Sequence, residues 1–147
     1  MSLDQLLGSN VFWTILIAAV ASQGLKILLF IFKHRQSFHP ADLVVTGGMP
    51  SSHSALVSAL ALIIFLNERF STLFFVTFIL AAIVLRDALG VRRTAGEEGR
   101  LLNQIIRRAK LKLPPLHYSL GHTPKEVVVG VVIGVLAALL AFIFISV

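Results

Sequence analysis

The run from Val127 to Val147 reads VVVGVVIGVLAALLAFIFISV and contains no charged residue. About 20 consecutive apolar residues match the hydrocarbon thickness of a bilayer, and no other feature of the chain restricts its fold so strongly. Three further apolar segments, roughly 11–32, 52–66 and 71–88, approach that length, the second being short and borrowing from its flanks. Backbone facing lipid must satisfy its hydrogen bonds within its own segment, so all four are expected to be helices. Charged residues make up only 14% of the chain, against about 25% in a soluble domain. The expected fold is an all-α integral membrane protein with about four transmembrane helices, forming a single transmembrane domain over 1–147.

The first run opens after MSLDQLLGSN, without a basic flank or a clear small-residue cleavage site, and holds Gln23 and Lys26. It reads as a retained transmembrane helix rather than a signal peptide. The net charge is +6, but the basic residues sit between the apolar runs, which is the pattern of a membrane protein and not of a nucleic-acid binder. The absence of cysteine excludes disulfides, thiolate chemistry and cysteine-ligated zinc.

Basic residues also set the orientation. Lys33 and Arg35 follow the first span, and most of the remainder, from Arg86 to Lys125, lie between the third and fourth; the turn Asn67-Glu68-Arg69-Phe70 is nearly neutral. Positive-inside reasoning then makes the first and third loops cytoplasmic and puts both termini outside, in a multi-pass protein of the inner or plasma membrane. Within the loop 89–126, Thr94-Ala95-Gly96-Glu97 fits a capping box with Thr94 as N-cap. Leu101, Leu102, Ile105, Ile106 and Ala109 then recur at helical spacing against Arg100, Arg107, Arg108 and Lys110, so an interfacial amphipathic helix is expected on the cytoplasmic leaflet, ended by Pro114-Pro115.

Four segments carry residues suited to chemistry. Gly47-Gly48-Met49-Pro50-Ser51-Ser52-His53 leads into the second span; glycine allows close backbone approach, and serines and free amides at a helix start form an anion site, beside which His53 would sit. Leu120-Gly121-His122-Thr123-Pro124-Lys125-Glu126 leads into the fourth span. A carboxylate four residues after His122 can fix the imidazole tautomer and raise basicity at its other nitrogen. Below Glu126 come Gly130 and Gly134 with Ala137, Ala138 and Ala141, a small-residue face suited to close packing. Ser54, Ala55, Ser58, Ala59 and Ala61 offer a matching face, and joining the two would bring His53 and His122 together; the alternative use of such faces is a homodimer. The third segment, Arg86-Asp87-Ala88-Leu89-Gly90-Val91-Arg92-Arg93, sets a carboxylate among arginines, which match phosphate oxygens bidentately. The fourth is Gln23 and Lys26 inside the first span, with Lys33 further on. Each has a plain structural reading as cap, anchor or snorkelling side chain. His34, His39 and His117 read as loop residues.

Together these segments resemble the type 2 phosphatidic acid phosphatase superfamily, which includes vanadium haloperoxidases. They are most similar to its small divergent branch, acid phosphatase/vanadium-dependent haloperoxidase-related, through GGMPSSHSALVSALA, RDALGVRRTAGEEGRLLN and LGHTPKEVVVGVVIG. Pro50-Ser51-Ser52-His53 looks like the superfamily's PSGH with serine for glycine, and His122 with Glu126 looks like its HxxxD with glutamate for aspartate. Pro115-Leu116 stand where Ser-Arg belongs, and Lys33 is followed by His39-Pro40 rather than a correctly spaced Arg-Pro. The resemblance implies a phosphatase that needs no metal or cofactor. In it His122 attacks phosphorus, Glu126 orients His122, and His53 protonates the leaving group. Charge and membrane side, not the resemblance, nominate Arg92 and Arg93 with Lys26 or Lys33 as phosphate-binding residues, alongside Gly48, Ser51 and Ser52. Asp87 is a further candidate, holding an arginine or serving another mechanism. The implied partners are a lipid phosphate and the bilayer. Two other readings stand beside this one: a non-catalytic lipid-phosphate binder or transporter, and a metal-dependent phosphohydrolase with His53, His122, Asp87 and Glu126 as ligands.

Overall fold

The computed structural model describes residues 8–34, 48–116, 118 and 121–145. Arg35, His39, Pro40, Gly47, His117 and Leu120 lie outside the described residues, as do the side chains of Lys33 and His34. Among the described residues five helices follow in chain order: α1 (Asn10–His34), α2 (Ser52–Glu68), α3 (Thr72–Leu89), α4 (Val91–Arg108) and α5 (Pro124–Ile145). No strand occurs among the described residues. Helices α1 and α5 and the helical stretch that begins with α3 are long and apolar enough to cross a membrane. The chain is an all-α, multi-pass membrane protein.

Helix α2 has 17 residues, about 25 Å at 1.5 Å per residue, shorter than the ~30 Å hydrocarbon core. Its position explains why that suffices: α2 packs against α1, α3 and α5 at once, and α5 packs against α1 as well. Neighbouring helices, more than lipid, therefore surround it. Side-chain size sorts accordingly. The interior holds Ala18, Ala55, Ala59, Ala137, Ala138 and Ala141, while Phe32, Phe78, Ile83, Ile143 and Phe144 face outward. Lipid solvates large apolar side chains as well as a protein core does, so small residues take the interfaces and let backbones approach.

The tightest approach is between α2 and α5. A Cβ built at Gly130 would meet the Ser51 carbonyl and the Ser54 side chain, and one at Gly134 would meet the Ala55 carbonyl and the Ala59 amide nitrogen. The small face of α5 is thus occupied by α2 of the same chain. At the far end of the bundle Asn10 and Asn67 exchange side-chain amide hydrogen bonds of 2.9 Å in both directions, tying the start of α1 to the end of α2.

Two expectations for the third loop are corrected. Thr94 is not an N-cap: α4 starts at Val91 with Gly90 as its cap, and the Thr94 amide already donates to the Gly90 carbonyl. Glu97 instead accepts from Arg93. The prolines do not end the helix either. Lys110 adopts φ 51°, its amide donates to Arg107 O, and the Leu111 amide donates to Ile106 O, which is a Schellman closure several residues before Pro114. A left-handed lysine is strained where glycine is not. Lys110→Gly is therefore expected to raise stability by about 0.5–1 kcal/mol, read as a higher thermal midpoint in detergent with unchanged helicity.

Candidate functional site

The starts of α2 and α5 and the end of α3 meet at one end of the bundle, joined through backbone. The Ser51 amide donates to Glu126 O at 3.1 Å, and the His122 amide donates to Ala88 O at 3.3 Å. Residue 121 passes over the beginning of α4: a Cβ at Gly121 would strike the backbone of Arg92 and Arg93, so glycine alone lets this crossing occur. The polar motifs therefore do share one face of the molecule.

The capping box of this chain is at α5. Glu126 Oε2 accepts from the Thr123 amide at 3.1 Å, and the Glu126 amide donates to Thr123 Oγ1 at 3.4 Å. Proline at the first helical position, Pro124, has no amide proton to lose and is preset for the turn. The same Oε2 lies 3.0 Å from His122 Nδ1. His122 precedes the helix, so the pair meets through the cap and not by stacking one helical turn apart. Only 8% of His122 is exposed, which keeps competing water away from the pair. Its Nε2 has no hydrogen-bond partner among the described residues, and no side-chain nitrogen or oxygen there is sealed without one, so Nε2 is open to an incoming group. A carboxylate at Nδ1 directs the lone pair of the neutral imidazole to Nε2.

At this end of the bundle several of the residues nominated above interact electrostatically, with His53 at their centre. His53 is exposed at the second position of α2 and lies within electrostatic reach of His122, Arg92, Lys26 and Asp87. Lys26 lies within reach of Glu126, so α1 contributes a cation to the same cluster. Gln23, one turn earlier, accepts from Ser52 Oγ at 3.2 Å and fixes α1 against the start of α2; its part in the site had no signal beyond its being polar within an apolar run.

The remaining nominees divide. Ser51 is fully buried, and its hydroxyl accepts from the Ser54 amide and hydroxyl at 3.3 and 2.8 Å; with its amide on Glu126 O, it anchors α2 to α5. The Ser52 and His53 amides have no partner among the described residues and are the donors left at the start of α2. Gly48 precedes them with φ +83°, which suits glycine. Arg92 pairs with Asp87, and Arg93 pairs with Glu97 at 3.1 Å, so Arg92 belongs to the cluster while the Arg93 guanidinium is held along α4. Lys33 lies in the last turn of α1. No three His, Asp or Glu side chains among the described residues group so as to hold a metal ion: Asp87 is turned to Arg92 and Glu126 to His122 and the α5 cap. The four-ligand set is not assembled.

The double duty of Glu126 gives a separable expectation. Thr123→Ala removes half the box and is expected to cost about 1 kcal/mol of stability. Glu126→Gln keeps a side chain that serves equally at this cap position but loses the charge facing Nδ1. Its thermal midpoint is expected to stay near that of the parent while any reaction at Nε2 slows; a fall in stability equal to that of Thr123→Ala would show the carboxylate matters only as a cap.

These features define a class: a multi-pass helical membrane protein carrying a buried histidine paired with a partly buried carboxylate, a second histidine and a basic cluster at one end of its bundle. Residues 7–137 match the divergent PAP2 family, and the chain belongs to that family, in agreement with the resemblance carried by its motifs. It is similar to a membrane protein of Bacillus subtilis (strain 168), the uncharacterized membrane protein YuiD, at 36% identity over 147 residues, covering 88% of this chain and 92% of that one. No solved structure matches it.

Proposed function

We propose that the chain is a metal-independent lipid-phosphate phosphatase, working on a phosphomonoester or diphosphate lipid from the cytoplasmic leaflet of the cell membrane through a phosphohistidine intermediate. The observation that carries this reading is the His122–Glu126 pair, with Nδ1 engaged at 3.0 Å, in electrostatic contact with His53, which in turn feels Lys26 and Arg92. Membership of a PAP2-related family supports it. Substrates of this class include phosphatidate, phosphatidylglycerophosphate and polyprenyl diphosphates. The excess of basic residues at the site end supports the cytoplasmic orientation, with both termini outside.

In the first step the Nε2 lone pair of His122 forms an N–P bond as the bond from phosphorus to its bridging oxygen breaks, and His53 donates a proton to that oxygen as it departs on the lipid alkoxide or, from a diphosphate, on the lipid monophosphate. In the second, water attacks phosphorus, the N–P bond breaks, and His53 takes the water's proton, releasing phosphate and restoring the enzyme. Lys26, Arg92 and the Ser52 and His53 amides face the charge that builds on the equatorial oxygens. Asp87 holds Arg92 in place for that purpose.

The test is release of inorganic phosphate from phosphatidate, phosphatidylglycerophosphate and a polyprenyl diphosphate, each in mixed micelles with purified protein and EDTA. Turnover that survives EDTA is expected. Tight lipid-phosphate binding with no release would instead assign a binder or transporter, and release that disappears in EDTA and returns with one divalent metal would assign metal-dependent hydrolysis.

A further inference from the structure

Among the described helices, α4 touches only α3, to which Gly90 joins it. One face of α4 is nevertheless covered, by the chain that returns after its Schellman turn. Gly96 and Asn103 are buried, and a Cβ on Gly99 would run into the Tyr118 side chain. The Asn103 amide pairs with the backbone of Leu116 in both directions, donating to its carbonyl at 2.9 Å and accepting from its amide at 2.8 Å. This side-chain clamp fixes 111–116 alongside the helix.

The other face of α4 is apolar and open, with Leu101, Leu102 and Ile105 each about half exposed. The returning segment adds Leu111, Leu113 and Leu116, also exposed. Arg107, Arg108, Lys110 and Lys112 lie between these apolar residues and Arg100 directly precedes them, and from 99 to 116 there is no acidic residue. Both acids of α4 fall in its first half, and Glu97 is already paired with Arg93.

We propose that the second half of α4 and the segment 111–116 form one bipartite membrane-surface element that binds anionic lipid headgroups at the site end of the protein. Continuity and charge select the bilayer over a second copy or a soluble partner. The helix that carries the element, α4, follows α3 after Gly90 alone, and α3 begins a helical stretch apolar and long enough to cross a membrane. Its apolar side chains suit the acyl boundary, while cations of a single sign interleaved with them suit phosphate oxygens and would repel an identical surface. The Asn103 clamp makes the returning segment part of this surface and not a free loop. The proposal is independent of the chemistry at His122, so either can fail alone.

The absence of cysteine allows single-cysteine labelling. Leu101→Cys, Gln104→Cys, Ile105→Cys and Leu113→Cys would each carry an environment-sensitive fluorophore, with one chain per nanodisc of phosphatidylcholine, with or without phosphatidylglycerol. Quenching by neutral acrylamide at 101, 105 and 113 is expected to be about threefold weaker than at 104 in the anionic discs, and the protection is expected to shrink in neutral discs and in an Arg108→Glu, Lys112→Glu background. Adding Asn103→Leu is expected to expose the label at 113 and leave 105 protected. Equal quenching at 101, 104 and 105 would overturn the proposal, as would protection indifferent to lipid charge. A 105–105 cross-link between chains, with no protection in single-copy discs, would overturn it in favour of a second copy.

Discussion

His122→Ala is expected to lower phosphate release by about four orders of magnitude, the scale on which covalent catalysis collapses when its nucleophile is removed. The loss should appear in kcat, because alanine leaves Lys26, Arg92 and the α2 amides in place to bind the phosphate. His53→Ala should behave differently, and the difference is the informative part. An acid is needed only when the leaving group is a poor one. With an aryl phosphate, whose phenolate departs unaided, His53→Ala should still complete the first step and then stall, because nothing takes the proton from the attacking water. A phosphorylated protein, stable to base and labile to acid, should therefore accumulate in His53→Ala and be absent in His122→Ala. Undiminished turnover in His122→Ala would remove the assigned nucleophile. A phosphoenzyme in His122→Ala would move the covalent chemistry to another side chain.

That experiment addresses the part of the site that sequence expresses best. His53 and His122 stand in motifs flanked by glycine and proline, and the small residues beneath each, Ala55 and Ala59 on one helix and Gly130 and Gly134 on the other, announce which surfaces meet. Hydropathy likewise exposes the apolar helices, because lipid tolerates so few charges. What sequence does not express is which of several chemically equal options the backbone takes. Thr-x-x-Glu occurs both at Thr94 and at Thr123; a helix can continue backward from Thr94 through Val91, whereas Pro124 forbids it at Thr123, and only the second becomes a cap. Arg92 and Arg93 are neighbours of one type, yet their partners Asp87 and Glu97 lie in opposite directions along the chain, so only Arg92 reaches the cluster. Ser51 and Ser52 divide in the same way, one buried as a cap and one turned toward Gln23. The Asn103 clamp follows no period at all, since it joins a side chain to backbone thirteen residues later.

The second large effect is expected far from any proton transfer. At Gly134 a Cβ would come under 3.0 Å from backbone atoms of Ala55 and Ala59, and backbone cannot rotate aside as a long side chain can. Gly134→Val forces α2 and α5 apart where they are closest, and overpacking of this kind costs about 1–3 kcal/mol where neighbours can adjust, so a value at or above the top of that range is expected here. Gly24 supplies the control. Nothing lies within 4 Å of a Cβ built there, and Gly24→Ala should leave the thermal midpoint unchanged or slightly raised, as alanine's better helix propensity suggests. The comparison also reaches the site, because the α2–α5 contact is what joins the start of α2, which carries His53, to the start of α5, which follows His122. If Gly134→Val folds with a lowered midpoint, its phosphate release should fall further than that of a surface variant of equal stability, since the proposed proton donor, His53, has been moved away from the proposed nucleophile, His122. Loss of stability with catalysis intact would mean the two histidines do not act together. Equal midpoints for the two glycine variants would mean α2 and α5 do not pack through these residues.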